Sequence, residues 1–171
     1  MTEPSLDVAE LLRRLHAADV DHVLIGGLAV NAHGVIRATK DIDICPSPEP
    51  ANLDRLASLL RELGVRQLGI EDDGFADREM PFDPTRSEDL AQGGNFRLQT
   101  PLGVLDIMQW LPGIDAEQAY ETLARDAQEA TAFGVTIRVC SLAALREMKR
   151  AAGRPRDLQD LADLDAAHPD D

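Results

Sequence analysis

Residues Asp41-Ile42-Asp43-Ile44 alternate carboxylates with β-branched apolar side chains, a period of two that a strand reproduces and a helix does not. On such a strand the two aspartates leave one face together, while Ile42 and Ile44 enter a core from the other. The solvated face of an amphipathic edge strand would have the same pattern, so the residues upstream carry weight. There, His22 to Ile25 (HVLI) reads as a short buried strand. Gly26 and Gly27 interrupt it, and Leu28, Ala29, Val30 and Ala32 supply a short helix. Glycines at a strand-to-helix junction let backbone approach a phosphate closely, and the helix start offers unpaired N–H groups and a positive dipole end.

Two carboxylates on one face repel each other unless a cation sits between them. Hard oxygen ligands of this kind suit Mg²⁺ or Mn²⁺ held together with the phosphates of a substrate. A third ligand is expected from a neighbouring strand. Asp106, in the run Val104-Leu105-Asp106-Ile107-Met108, is the one ionisable residue of an otherwise apolar stretch, where a carboxylate without a partner is costly. Metal ligation explains it, and so does an ion pair with a nearby arginine.

The rest of the chain reads as mixed α and β in one domain over residues 1–171, with a core of about 5–140 and C-terminal helices over about 141–166. A first helix is expected from Ser5 as N-cap, with Val8, Leu11, Leu12 and Leu15 on one face. A helix carrying Leu53, Leu56, Leu60 and Leu63 follows the break at Pro46-Ser47-Pro48 and stops at Gly64. From Gly69 to Gly94 the acidic residues Asp72, Asp73, Asp77, Asp83 and Asp89 lie among prolines and glycines, a loop composition. Asn95 to Gln99 and Val104 to Gln109 flank a turn and predict a hairpin. A helix over Ala116 to Ala127, a last strand over Val135 to Cys140, a Ser141-capped helix to Ala152 and a helix from Pro155 to Ala166 complete the order. Leu158, Leu161 and Leu164 are expected on the inner face of the final helix, and Trp110 in the core. His33, close to the glycine pair, is read as structural.

No apolar run approaches the roughly 18 residues of a membrane span, and the acidic start MTEPSLDVAE is unlike a secretory signal, so a cytoplasmic protein is expected. Cys45 and Cys140 each sit in an apolar strand-like run and are read as buried thiols. A net charge of −14 argues against broad binding to nucleic acid, and it suits an acidic cleft for a cationic substrate. Against that background the segment Arg146 to Arg156 stands out, with five basic residues and one acidic.

The glycine pair followed by Arg37-Ala38-Thr39-Lys40-Asp41-Ile42-Asp43 resembles the signature of the nucleotidyltransferase superfamily, the polymerase-beta-like fold. Arg37, Thr39, Asp41, Ile42 and Asp43 are most similar to the Arg-x-Thr-x-Asp-Ile-Asp form of AbiEii-like toxin nucleotidyltransferases of toxin-antitoxin systems. In that group a lysine and a downstream aspartate on C-terminal helices complete the site, and Lys149 and Asp157 match them. The resemblance implies a small mixed sheet flanked by helices, with C-terminal helices beside it. It also implies a magnesium- or manganese-dependent transfer of a nucleoside monophosphate from a nucleoside triphosphate, ATP among the candidates, with release of pyrophosphate. Asp41, Asp43 and Asp106 would hold metal and act in catalysis, while Gly26, Gly27, Arg37, Thr39 and Lys149 would serve the nucleotide. The acceptor hydroxyl would belong to a macromolecule, tRNA or protein, with an antitoxin as partner. A small-molecule acceptor, as in aminoglycoside-modifying enzymes, and a nucleotide-binding homologue without activity remain alternatives.

Overall fold

The computed structural model describes residues 5–68 and 82–171. The expected loop acids Asp72, Asp73 and Asp77 lie outside them. Seven strands among the described residues form one mixed sheet in the order β3-β4-β5-β2-β1-β7-β6. In chain order the elements are α1 (Val8–Ala17), β1 (His22–Ile25), α2 (Gly26–Ala32), β2 (Asp41–Pro46), α3 (Pro50–Leu63), β3 (Arg66–Gln67), α4 (Ser87–Leu90), β4 (Asn95–Thr100) and β5 (Gly103–Met108). A single turn of 3-10 helix, Ala116–Gln118, then leads into α5 (Ala119–Arg125), β6 (Gln128–Ala132), β7 (Val135–Val139), α6 (Leu142–Ala152) and α7 (Pro155–Ala167). The mixed α+β architecture expected from the sequence is present.

The centre of the sheet carries the alternation of Asp41 to Ile44. Ile42 and Ile44 are fully buried, packed in one apolar cluster with Leu11, Leu15, Leu24, Leu56, Leu60, Leu105 and Ile107. β2 runs antiparallel to β1 and parallel to β5. The crossover from β2 to β5 is long enough to hold α3, as a parallel pair requires. α2 packs on β1, β2 and α6, α5 on β1 and β2, and α6 pairs with α7.

The sequence-based boundaries need four corrections. Asp7, not Ser5, caps α1: its carboxylate accepts the Glu10 N–H at 3.0 Å. The expected helix over Ala116 to Ala127 ends at Arg125, because Gln128–Ala132 forms an edge strand paired with β7. That strand, Gln-Glu-Ala-Thr-Ala, is solvated on both faces and shows no period, so the tight turn at Phe133 (φ 55°) and Gly134 (φ 78°) sets its register. Trp110 stands at the end of β5, where the strand runs out, and is 54% exposed rather than core. Leu158 is also exposed, since α7 buries Asp157, Asp160, Leu161 and Leu164, a helical stripe that opens with two acids.

Asn52, on α3, joins two strand ends. It is buried, its Oδ1 accepts the Asp21 N–H at 2.7 Å, and its Nδ2 donates to the carbonyls of Asp21 and Ser47, both at 2.9 Å. We expect Asn52→Ala to leave the Asp21 N–H and the Ser47 carbonyl without this partner and lower the free energy of unfolding by about 2 kcal/mol. Chemical denaturation followed by circular dichroism measures this, and an unchanged midpoint would refute the account.

Candidate metal and nucleotide site

Registry places three carboxylates together. Asp43 on β2 lies directly opposite Asp106 on β5, and Asp41 lies two residues back on the same face as Asp43. One carboxylate oxygen from each of Asp41, Asp43 and Asp106 falls within 4.8 Å of the others. Two oxygens bound to one Mg²⁺ at its usual bond length are at most about 4.2 Å apart, so a small rotation of one side chain brings all three into reach of a single ion. The donor set, three hard oxygens, fits Mg²⁺ or Mn²⁺ better than a softer metal.

The electrostatics point the same way. Burial and the charge of Asp41 push Asp43 up to about 6. Burial and the charge of Asp43 push Asp106 further, to about 8, with Asp106 the donor of a hydrogen bond to Asp43. The pair therefore shares a proton near neutrality, the response of a buried carboxylate couple that lacks a cation. Arg97, on β4 directly opposite Asp106, relieves part of this: its Nη1 donates to Asp106 Oδ2 at 2.8 Å and to Asp41 Oδ2 at 3.3 Å. Sequence reading had allowed for an arginine beside Asp106 without finding which. The hairpin register, which sets Arg97 across from Asp106, was the available signal.

The glycine pair has a role that the sequence did not disclose. Gly26 takes φ +67°, and a Cβ there would lie 2.0 Å from Asp43 Oδ2. A Cβ on Gly27 would come within 2.9 Å of Thr39 Oγ1. The two glycines thus clear space for the carboxylate of Asp43 and for the loop that delivers it. Thr39 Oγ1 donates to the carbonyl of Asp41 at 2.9 Å, and Asn31 Oδ1 accepts the Arg37 N–H at 3.3 Å, so the loop from 33 to 40 is tied at both ends.

Arg37 does not face the carboxylates of the cluster. It is paired with Asp160 of α7, and Asp160 also binds Lys149 Nζ at 2.8 Å. Lys149 is buried and reaches Asp157 at 3.3 Å as well. Burial raises the Asp157 carboxyl, but its hydrogen bond and charge interaction with Arg154, helped by Lys149, outweigh that and hold it below the usual range. Asp157 also accepts the Arg154 N–H at 3.2 Å and so caps α7. This buried network fastens the two C-terminal helices to the Arg37 loop, and the charge of Lys149 reaches Asp43. Arg146, buried with Asp165 at 2.9 Å, is likewise engaged. Of the five basic residues between 146 and 156, Arg146 and Lys149 are thus buried in internal ion pairs, while Arg150, Arg154 and Arg156 are exposed. His33 is structural, hydrogen-bonded to the Cys140 carbonyl at 2.8 Å, and both cysteines are buried and free.

No protein-family model matches the chain, and no curated protein sequence matches it. Solved structures do. The lincosamide antibiotic adenylyltransferase LnuA, solved with lincomycin bound, superposes with a TM-score of 0.61 at 15% identity, over 96% of this chain and 99% of its own. The nucleotidyltransferase fold is present here. The antibiotic-resistance factor ANT(2'')-Ia matches with a TM-score of 0.55 at 18% identity, over 93% of this chain and 83% of that one, and it has also been solved with adenylyl-2''-tobramycin. TM1012 of Thermotoga maritima, classed provisionally as a nucleotidyltransferase, matches with a TM-score of 0.54 at 18% identity, over 92% and 94% of the two chains. Among the described residues no helix is long and apolar enough to cross a membrane.

Two outcomes are expected from this geometry. Gly26→Ala combines a left-handed backbone with a collision against Asp43, so it should abolish Mn²⁺ binding and destabilise the fold by well over the roughly 1 kcal/mol of backbone strain alone. Gly34→Ala, where a Cβ meets open space, should show only the strain. Calorimetric Mn²⁺ titration of both variants tests the contrast, and metal binding by Gly26→Ala would defeat it. The second outcome concerns pH. Folded-state values of about 6 and about 8, raised above the unfolded 3.8, mean that the metal-free protein is favoured in acid and loses stability as pH rises from 3.8 to about 8. Metal binding must expel the shared proton, so Mn²⁺ affinity should climb over the same window. Asp106→Asn, a neutral isostere, should make the metal-free protein more stable than wild type near pH 8 while losing the ion. Thermal melts with and without Mn²⁺ across that range would expose an error as a flat profile.

Proposed function

We propose that this chain transfers a nucleoside monophosphate from a nucleoside triphosphate to a hydroxyl of a small-molecule acceptor, with pyrophosphate as the other product. The observation that carries the reading is the convergence of Asp41, Asp43 and Asp106 across two neighbouring parallel strands, beside which β1 opens directly into the glycine pair. The cluster would hold a Mg²⁺ or Mn²⁺ ion, which would supply positive charge to the oxygens of the triphosphate. Asp41 and Asp43 anchor the cation, while Asp106 orients the acceptor hydroxyl and takes its proton on a carboxylate oxygen. The hydroxyl oxygen forms its bond to the α-phosphorus as the bond to the pyrophosphate oxygen breaks. Gly26 and Gly27 offer backbone N–H groups to phosphate oxygens at the start of α2. Thr39 fixes the backbone of Asp41, Arg37 fixes its loop to α7, and Lys149 adds positive charge beside Asp43.

Two observations favour a small acceptor. The net charge of −14 disfavours a nucleic-acid partner, and the antibiotic adenylyltransferase LnuA covers nearly its whole length on this chain. A second reading keeps a macromolecular acceptor, tRNA or protein, and an antitoxin partner. Its support is the Arg37-x-Thr39-x-Asp41-Ile42-Asp43 motif together with Lys149 and Asp157, which the fold gathers around one loop.

The decisive test begins with calorimetric binding of ATP, CTP, GTP and UTP in Mg²⁺ to wild type and to Asp41→Ala/Asp43→Ala. Metal-dependent binding of one nucleotide, lost in the double variant, is the expected result. The bound nucleotide, labelled at the α-phosphate, is then offered with polyhydroxylated amines and, separately, with total tRNA. Label on the amines supports the first reading, label on tRNA the second, and no nucleotide binding at all would end both.

A further inference from the structure

Among the described residues, Arg97 is the cation in direct ion-pair contact with the carboxylate cluster. One nitrogen, Nη1, serves both Asp41 Oδ2 and Asp106 Oδ2, and 42% of the side chain is exposed. Lys149 contrasts with it: buried, and clamped between Asp157 and Asp160. A divalent ion among Asp41, Asp43 and Asp106 draws on two of the carboxylates that Arg97 now holds, and the guanidinium and the ion repel each other at that range. Arg97 has somewhere to go, because its side chain is partly exposed and, among the described residues, Nη1 alone contacts the cluster. A guanidinium's planar fork matches phosphate oxygens two at a time.

We propose that Arg97 is a displaceable counter-ion: it holds the carboxylates of the metal-free site together, gives way to the divalent ion, and then turns its guanidinium to the phosphates that arrive with that ion. This rests on the metal-and-triphosphate reading above and assigns its phosphate contact to β4. A purely structural arginine would affect neither ligand, and one that merely competes with the metal would affect one. Displacement followed by phosphate contact predicts effects of opposite sign on the two.

The experiment compares wild type, Arg97→Gln and Arg97→Lys by calorimetry, first with Mn²⁺ alone and then with the Mn²⁺ complex of inorganic tripolyphosphate, a probe indifferent to the base. Thermal melts establish that each variant is folded, as expected for a half-exposed strand position. Arg97→Gln should bind Mn²⁺ alone about fivefold more tightly and the tripolyphosphate complex about tenfold more weakly, and Arg97→Lys should recover most of the second loss. Unchanged or weaker Mn²⁺ binding by Arg97→Gln overturns the proposal, and so does unchanged binding of tripolyphosphate. If wild type itself binds no Mn²⁺, the metal reading fails at its root, an outcome distinct from either of those.

Discussion

Repulsion among buried carboxylates is the constraint on which the rest of this structure turns. Asp43, Asp106 and Arg97 occupy one row across β2, β5 and β4, so the sheet's hydrogen-bond register forces two like charges together and sets a counter-charge beside them. The row cannot relax by rotating a strand, because Ile42, Ile44, Leu105 and Ile107 on the opposite face are fully buried. Strain that packing will not let the backbone release appears instead as proton uptake by Asp43 and Asp106. A cation answers that demand, and the geometry of the oxygens decides which cations can.

The surroundings of the row follow from it. Gly26 is glycine because the Asp43 carboxylate fills the space a side chain would need, and Gly27 because Thr39 does. Thr39 and Asn31 then fix the loop from 33 to 40. The loop is anchored at a distance by Arg37 on Asp160, within a set of charges that also includes the buried Lys149 and Asp157 and the exposed Arg154. Breaking one member of such a set strands the others in low dielectric, so the two C-terminal helices are bound to the site by the cost of unpaired charge as well as by apolar contact. Of the five basic residues that look like a surface patch in the sequence, Arg146 and Lys149 are buried, and Arg150, Arg154 and Arg156 lie on the surface.

Periodicity and punctuation made most elements legible. Pro50 and Gly64 bracket α3, Ser141 and Gly153 bracket α6, and the flanks of Pro101 and Leu102 form the expected hairpin. The misreadings have a common origin. β6 carries no apolar period because both its faces are solvated, and its strand character comes entirely from pairing with β7. In α7 the apolar pattern pointed to Leu158, whereas the buried stripe begins with Asp157 and Asp160, whose neutralising partners come from α6 and from the loop before β2. Trp110, expected in the core, stands past the last residue of β5 and is exposed among the described residues.

The sequence by itself determined that Asp41 and Asp43 share a face, that glycines stand at the strand-to-helix junction, and that Asp106 sits in an apolar strand. Each of these is a matter of local period or of a residue's own conformational range, which neighbours in the chain suffice to fix. Tertiary structure alone decided that Asp106 lies opposite Asp43, that Arg97 closes the row, and that Lys149 and Arg37 share Asp160. Those facts depend on strand order and helix docking, where residues 63 and 123 positions apart meet, and such long-range pairings are chosen by the burial of the whole core rather than by any segment's own preference.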